Sequence, residues 1–333
     1  MKANAVVAVD NKKVEIREVE IGTLGEWDIQ VELETSAISV GTESYVLSTP
    51  ERYERPYIPG YSPIGRVVVV GEKAAERFAV GDRVTYFQPR APLDVIQNCG
   101  GHQSPAIVNV DPKKVGTTPS NAYCEKVPPD LQSDTAAYGG IASISCLGIS
   151  LARQSVGDRA FIIGQGMIGQ LAAQYLRLRG AEVAVADLHE KRLSLSRQSG
   201  ADYCMLAGTN PVADELLELW PEGADIVVDC TGSYRVVESI APTVKVRGKF
   251  IFLGWCKGTG FNLELFHGRV FEAYFPWGLE GPRISSAWRL MKTDTLKIPH
   301  LITHRFHVRD APKAYELIYR APAAYVGILL DWR

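Results

Sequence analysis

The sequence predicts an α/β fold in two parts, a β-rich N-terminal body followed by a doubly wound parallel sheet. Residues 1–130 contain short β-rich runs separated by glycine, proline and acidic turn residues. From Asp134 onward, apolar strands alternate with amphipathic helices, which is typical of a parallel sheet. The chain has 333 residues, 46% of them hydrophobic, which is enough for two domains with sizeable cores.

The strands of the N-terminal body are recognised by their apolar and β-branched residues. Residues 86–128 contain many prolines and glycines, and we expect a long loop or irregular lobe there, of the kind that often shapes a binding site. The predicted strands are AVVAV, DIQVELE, GRVVVVG and RVTYF.

The second part shows the two periodicities of a βα repeat. Its helices have a 3.6-residue apolar period and end at glycines such as Gly180 and Gly200, and its strands are continuous apolar runs. The predicted elements, in chain order, are one or two helices in TAAYGGIASISCLGISLARQ, strand RAFIIG, helix MIGQLAAQYLRLRG, strand AEVAVAD, helix EKRLSLSRQSG, strands ADIVVDCTG and GKFIFLG, helix ISSAWRLMKTD, strand LITHRFHV, helix APKAYELIYR and strand AYVGILLDW.

Composition excludes several classes of function. A formal net charge of -2 argues against nucleic acid as a partner, because phosphate binding requires a basic surplus. No apolar run is long enough to cross a membrane, and Asp10, Lys12 and Lys13 interrupt any signal-peptide core. The six cysteines are dispersed and form no CxxC pair, so we expect reduced thiols in a cytoplasmic protein rather than a disulfide framework or a zinc ribbon.

A glycine-rich run between a strand and a helix predicts a dinucleotide site. Gly164, Gly166 and Gly169 form a GxGxxG pattern that also contains Met167 and Ile168. The first glycine permits a tight turn, the second lets the backbone approach a pyrophosphate, and the third lets the helix pack closely on the strand. The amides at the helix N-terminus then stabilise the phosphate charge.

The next strand supplies the acid that this fingerprint requires. Asp187 ends AEVAVAD and can accept hydrogen bonds from the adenosine ribose, while a carboxylate there repels the extra phosphate of NADP. NAD is therefore favoured over NADP, although Arg192 lies close enough in sequence to touch the same ribose and soften this discrimination. Further cofactor contacts are expected where two later strands end, at Thr231, Gly232, Leu253 and Gly254.

These features together resemble the medium-chain dehydrogenase/reductase superfamily over nearly the whole chain. The resemblance implies a GroES-like catalytic domain over 1–152 and 286–333, a Rossmann domain over 153–285, and a homodimer. Within the superfamily, SVGTE and ILLDWR look most similar to the bacteriochlorophyllide a dehydrogenase branch. The motifs that carry the resemblance are GTE, PGYSPIGRVVVVG, GDRV, VGDRAFIIGQGMIGQLAAQYLRLRGA and LITHRF.

The resemblance also shows where catalytic zinc is held in other members, and this chain departs there. The ligand cysteine falls on Val40, the histidine and glutamate of a G-H-E motif fall on Tyr61 and Ser62, and a further glutamate falls near Gly140. Zinc requires about four N, S or O ligands. We therefore expect neither catalytic nor structural zinc, and no spacing supports a metal site built from Cys99, His102 or Glu43.

Five side chains are candidates for moving a proton without a metal. Thr42 falls on a relay hydroxyl of the family, Glu43 on a common aspartate, and Tyr45 near a common histidine. Tyr61 replaces the zinc-binding histidine, and His102 lies in a glycine-rich segment that could reach a substrate site. Four of them also have a structural interpretation: a helix cap for Thr42, a supporting acid for Glu43, and packed rings for Tyr45 and Tyr61.

Three functions remain open from sequence. The first is a zinc-independent, NAD-preferring oxidoreductase for a secondary alcohol or its ketone on a medium or large biosynthetic substrate. The second is an NADPH-linked reductase of quinones or enones, against which Asp187 argues, and the third is a dinucleotide-binding protein without catalysis. The segment ELFHGRVFEAYFPWG, with Phe266, Phe271, Tyr274, Phe275 and Trp277, is interpreted either as packing or dimer surface or as one wall of an apolar substrate pocket.

Overall fold

The computed structural model describes residues 1–49, 54, 56–113, 123–208, 210–255, 262–269 and 271–333. These residues form two compact units. The first comprises Met1–Ile141, Gly278–Asp294 and Ile302–Arg333, and the second comprises Ala142–Trp277 and Thr295–Leu301.

The described strands follow the predicted runs closely, apart from several that the sequence did not reveal. They are β1 (Lys2–Asp10), β2 (Lys13–Glu20), β3 (Asp28–Ala37), β4 (Tyr57–Ile58), β5 (Pro63–Val70), β6 (Arg83–Phe87), β7 (Ile96–Gln97), β8 (Gln103–Ser104), β9 (Ala106–Asn109), β10 (Tyr123–Lys126), β11 (Arg159–Ile163), β12 (Glu182–Asp187), β13 (Tyr203–Leu206), β14 (Ala224–Asp229), β15 (Val244–Phe252), β16 (Glu272–Tyr274), β17 (Ile302–His307) and β18 (Gly327–Asp331).

The described α-helices include a short one that begins at the SVGTE run. They are α1 (Val40–Ser48), α2 (Ser133–Ala136), α3 (Gly139–Leu151), α4 (Met167–Leu178), α5 (Glu190–Gln198), α6 (Val212–Leu219), α7 (Tyr234–Ile240), α8 (Gly281–Lys292) and α9 (Ala311–Arg320). None of the helices in these described ranges is long and apolar enough to cross a membrane.

The first unit is built on two sheets. One has the order β2-β1-β4-β7, with β8 also paired to β1, and the other has the order β10-β6-β5-β3-β18-β17, with β9 also paired to β3. The expectation of an irregular lobe over 86–128 is wrong in part, because β7 to β10 pair with these sheets. Each is only two to four residues long, so no apolar alternation extends far enough to reveal it.

The second unit is a six-stranded parallel sheet with the order β13-β12-β11-β14-β15-β16. The strand order reverses direction at β11 and β14, which is the switch point of a doubly wound fold. The predicted α/β class, with a β-rich N-terminal body and a Rossmann-type sheet, is confirmed. Helix α8 spans our expected boundary at 285/286 and lies wholly within the first unit.

Candidate functional site

The glycine-rich loop of the second unit joins β11 to α4. Gly164 has φ +89°, a conformation that glycine adopts without strain, and Gly166 is the N-cap of α4. A Cβ on Gly169 would lie 1.9 Å from the Gly164 carbonyl oxygen, so only glycine fits there. A Cβ on Gly166 would have no neighbour within 4 Å. The N-terminus of α4, at Met167 and Ile168, is thus unobstructed beside Gly166, where the fingerprint requires a pyrophosphate.

Asp187 lies at the end of β12, beside this loop. Its carboxylate accepts hydrogen bonds from the backbone N–H of Gln165, at 2.7 Å, and of His189, at 2.9 Å. The guanidinium of Arg192 lies 3.5 Å from the same carboxylate. Two side chains of opposite charge therefore meet beside the loop, and their contact with a ribose stays a prediction.

The ends of β14 and β15 are joined by hydrogen bonds to one residue. Asp229 accepts from the N–H of Thr231 and Gly232 through its carboxylate, and from the N–H of Leu253 and Gly254 through its carbonyl oxygen. Burial raises the pKa of Asp229, although the hydrogen bonds from Thr231 and Gly232 oppose that shift. Sequence reasoning named the four surrounding residues but missed Asp229, whose position at the end of an apolar strand was the available signal.

In the first unit, Tyr61 lies where the resemblance places a zinc-binding histidine. Its hydroxyl is 2.7 Å from Ser39 Oγ and also forms a hydrogen bond with the side chain of Thr42. Burial raises the pKa of Tyr61 to about 12, and the hydrogen bonds from Ser39 and Thr42 partly offset that effect. The phenol is therefore neutral at pH 7 and acts as a hydrogen-bond donor as well as an acceptor.

Glu43 and His102 form a buried pair close to Tyr61. Glu43 Oε1 accepts from the N–H of Ser39, at 2.7 Å, which is the residue whose hydroxyl contacts Tyr61. Glu43 Oε2 accepts from the hydroxyl of Tyr315 and lies 3.2 Å from His102 Nε2. Both side chains are almost fully buried, with 3% and 0% exposure.

The hydrogen-bond inventory fixes the tautomer of His102. The carboxyl oxygen of Glu43 that accepts from Tyr315 also faces His102 Nε2, so we assign Nε2 as the donor nitrogen of the ring. His102 Nδ1 lies 2.8 Å from Ser36 Oγ, and Ser36 Oγ accepts from Trp332 Nε1–H at 2.9 Å. When a neutral His102 accepts from Ser36, the polar side-chain atoms that link Glu43, His102, Ser36 and Trp332 all have hydrogen-bond partners. Glu43 and His102 therefore belong to a satisfied internal network.

Tyr45 is placed differently from the other four candidates. Its ring is 4% exposed and packs in the apolar cluster that contains Val46, Tyr57 and Tyr315. Of the five predicted residues, the structure therefore brings Thr42, Glu43, Tyr61 and His102 into one network. Sequence reasoning missed Ser36 and Tyr315, which lie in no motif, and also Ser39, although it begins the SVGTE run.

The donor set at the family's zinc positions does not fit zinc. Val40 has no donor atom, Ser62 donates its hydroxyl to the carbonyl oxygen of Ala137, and Gly140 has no side chain. Tyr61 remains, as a neutral phenol already paired with Ser39 and Thr42. Within the described ranges, no cluster of three or more His, Cys, Asp or Glu side chains could hold a metal ion.

The aromatic segment that follows β15 is only partly buried. Phe275 and Trp277 are 71% and 64% exposed, and Phe275 stacks on Phe252 with the ring centres 4.5 Å apart. Phe271 packs against the core of the second unit, and Tyr274 ends β16. The side chain of Phe266 is not among the side chains that the structure describes.

Comparisons with known proteins agree with this architecture. A family model described as zinc-binding dehydrogenase matches residues 168–275. That range lies in the second unit and contains none of the zinc positions named above. An L-threonine 3-dehydrogenase from Vibrio parahaemolyticus serotype O3:K6 is 25% identical over 340 aligned positions, covering 95% of this chain and 94% of the relative.

Solved structures share the whole fold. A provisional zinc-binding dehydrogenase from Sinorhizobium meliloti 1021, bound to NADP, has a TM-score of 0.83 at 22% identity, with 99% of each chain covered. A protein named short chain alcohol dehydrogenase from Escherichia coli CFT073, complexed with NADH, has a TM-score of 0.82 at 20% identity, with 99% of each chain covered. The chain is therefore similar to dehydrogenases over nearly its whole length and shares the fold of these solved structures.

Proposed function

We propose that this protein is a zinc-independent oxidoreductase that interconverts a secondary alcohol and a ketone with NAD(H). The observation that carries the proposal is the Tyr61 hydroxyl. It stands at the family's zinc-ligand position, held by Ser39 and Thr42, in a chain whose dinucleotide fingerprint is intact. L-Threonine, the substrate named for the Vibrio relative, is itself a secondary alcohol, which supports this substrate class.

The cofactor fits the residues of the second unit. The open N-terminus of α4 at Gly166, Met167 and Ile168 would hold the pyrophosphate, and Asp187 with Arg192 would hold the adenosine ribose. Thr231, Gly232, Leu253 and Gly254 would contact the rest of the molecule from the ends of β14 and β15. NAD, when bound, accepts a hydride from the alcohol carbon or returns it to the ketone.

The first unit supplies the proton chemistry. In the oxidation, the alcohol loses a hydride from carbon and a proton from oxygen, and the products are a ketone, NADH and a proton. Because Tyr61 is neutral at pH 7, we assign it a relay role, in which it accepts the alcohol proton as it donates its own to the hydroxyl of Thr42. Thr42 is half-buried, and its hydroxyl in turn releases a proton to water. In the reduction the transfers run in reverse, and Tyr61 protonates the oxygen.

Glu43 and His102 are assigned a positioning role. Their network fixes the backbone of Ser39 at the start of α1, and Ser39 in turn holds the Tyr61 hydroxyl. Both carboxylate oxygens of Glu43 and both ring nitrogens of His102 are already engaged within this network. Tyr45 is assigned to packing, because its ring belongs to the apolar core.

The decisive experiment follows NADH absorbance with a panel of secondary alcohols, ketones, quinones and enones. We expect turnover of alcohols and ketones, and we expect Tyr61→Phe to lower kcat by about 10²- to 10⁴-fold. Tyr86→Phe is the matched control, because Tyr86 is also a buried phenol with a raised pKa but packs beside Cys124 in another core cluster. Turnover of quinones with NADPH alone, or of nothing despite tight NAD binding, would refute the proposal.

The metal content tests the zinc-independent part separately. We expect elemental analysis to find well under one zinc per chain, and chelators to leave turnover unchanged, because Val40, Tyr61, Ser62 and Gly140 do not form a zinc ligand set. One tightly bound zinc per chain that is needed for activity would overturn this mechanism.

A homodimer is proposed from the edge of the six-stranded sheet. β16 is an edge strand, and in the part of the chain that the structure describes its outer side has no partner strand. The exposed rings of Phe275 and Trp277 follow it directly. Unpaired edges with apolar neighbours favour pairing with another chain. Light scattering on the purified protein tests this, and a monomer at micromolar concentration would contradict it.

A further inference from the structure

The buried hydroxyl of Tyr123 has no hydrogen-bond partner among the described residues. The side chain is 3% exposed, so the hydroxyl is also screened from bulk water. Burying an unpaired hydroxyl costs free energy, and such groups in a native protein call for an explanation. A ligand that supplies the missing acceptor is one explanation, and the position of Tyr123 favours it.

Tyr123 lies in β10, opposite Phe87 of β6, and its ring stacks on that of Phe87 with the centres 5.9 Å apart. This stacking fixes the direction of the phenol. A Cβ built on Gly140 would lie 3.8 Å from the Tyr123 hydroxyl, 3.8 Å from Tyr61 Cδ2 and 3.0 Å from Ser62 Oγ. The hydroxyl of Tyr123 and the ring edge of Tyr61 therefore border the same place, next to a residue that contributes no side chain.

Three polar groups around this place, Ser62, Tyr61 and Cys99, are already engaged or carry no charge. Ser62 donates to the carbonyl oxygen of Ala137, and Tyr61 is paired with Ser39 and Thr42. Burial raises the pKa of Cys99 to about 12, so its thiol is neutral at pH 7. Burial also raises the pKa of Tyr123, and Tyr61, Cys99, Cys124 and the carboxyl of Glu125 act on it in the same direction. Tyr123 thus offers a neutral O–H donor over the whole working pH range.

We propose that Tyr123 donates a hydrogen bond to the substrate oxygen, as a second donor beside Tyr61. This inference rests on the proposed function, because the oxygen is that of the alcohol or ketone. The oxygen gains negative charge as a hydride adds to the ketone carbon, and a fixed donor aimed at it stabilises that charge. Tyr123 keeps its proton throughout, while Tyr61 carries out the transfer.

Other unpartnered phenols do not compete for this role. The hydroxyls of Tyr86 and Tyr138 are also buried without a partner among the described residues. However, different titratable groups affect the pKa values of these two phenols. Cys124 acts on Tyr86, and Asp134 and Arg305 act on Tyr138. Tyr86 adjoins Phe87 on β6, so its side chain points to the opposite face of the sheet from the Phe87–Tyr123 pair.

The test uses Tyr123→Phe, with Tyr86→Phe as the matched control. Each change removes one buried, unpartnered hydroxyl and keeps the ring, so neither is expected to lower the melting temperature. We expect Tyr123→Phe to lower kcat for ketone reduction about a hundredfold and Tyr86→Phe to leave it unchanged. Equal kcat values for Tyr123→Phe and the wild type would overturn the inference.

A binding measurement separates this inference from the proposed function. Trifluoroethanol is a suitable probe, because its fluorines disfavour hydride removal and its binding to the NAD complex is followed by fluorine NMR without turnover. We expect Tyr123→Phe to weaken that binding roughly three- to tenfold, and Tyr86→Phe to leave it unchanged. Unchanged affinity in Tyr123→Phe, or no binding to the wild type, would refute the role of Tyr123. Absence of turnover alone would instead refute the proposed function.

Discussion

Gly166 and Gly169 give a paired test of the dinucleotide site, because the structure predicts opposite effects for the same added methyl group. A Cβ on Gly166 would meet nothing within 4 Å, and the residue has φ -68°, which any amino acid adopts. The cost of placing alanine at an N-cap and the gain from a stiffer unfolded chain are each about 1 kcal/mol or less and oppose each other. We therefore expect Gly166→Ala to leave the free energy of unfolding nearly unchanged.

The same methyl group would occupy the space that the pyrophosphate requires. We expect Gly166→Ala to weaken NADH binding at least about tenfold, which corresponds to about 1.4 kcal/mol. In Gly169→Ala, by contrast, the Cβ would lie 1.9 Å from the Gly164 carbonyl oxygen, where an ordinary contact begins at 3.4 Å. The backbone would have to move, so we expect a loss of about 3 kcal/mol in the free energy of unfolding.

The assays are urea denaturation followed by tryptophan fluorescence and calorimetric titration with NADH. Gly166→Ala is expected to unfold at the wild-type urea concentration while binding NADH weakly. If this variant has both the stability and the NADH affinity of the wild type, the pyrophosphate does not lie at the N-terminus of α4. If Gly169→Ala is as stable as the wild type, the close approach of helix and loop has been misread.

Three further predictions concern the acid, the buried histidine and alkaline pH. Asp187→Ala should weaken NAD binding about tenfold and relax the preference against NADP, because the repelling carboxylate is lost; unchanged calorimetric affinities for both nucleotides would sink the assignment. Gly60→Ala should lower the free energy of unfolding by about 3 kcal/mol, because its φ is +90° and its Cβ would lie 2.6 Å from the His102 ring; a wild-type urea midpoint would contradict this. Burial raises the pKa of Cys99 from 9.0 and of Tyr61 from 10.0, each to about 12, so these groups contribute stability that is fully present below pH 9 and is lost as the pH rises toward 12. Urea midpoints that stay constant over that interval would show that these groups are not buried as described.

The Rossmann-type unit could be predicted because its local signals are strong. β11, α4 and β12 follow a continuous apolar run, a 3.6-residue period and a second apolar run, with glycines at both turns. Asp187 was found because the fingerprint fixes its place relative to Gly169. The network around Tyr61 was harder to find, since it joins residues that are far apart in sequence, such as Glu43 and Tyr315, 272 positions apart.

The misses also have physical causes. α1 was not among the predicted helices, since Val40-Gly41-Thr42 contains poor helix formers. In the structure, Glu43 reaches back to the N–H of Ser39 and stabilises the first turn. The strands between 86 and 128 are too short to show alternation, and tertiary pairing alone defines them. The unpartnered hydroxyl of Tyr123 leaves no sequence signal, because tertiary packing decides whether a tyrosine hydroxyl has a hydrogen-bond partner.

The position of β18 has a consequence for how the protein is made. β18 lies between β3 and β17, and Trp332, just beyond it, bonds to Ser36 across 296 positions of the chain. During synthesis, residues 142–277 emerge from the ribosome well before β18 does. We therefore expect the six-stranded sheet to fold first, although domains usually fold in order from the N-terminus. The unit that begins the chain, with Tyr61 and Tyr123, is completed last, when its C-terminal strand arrives.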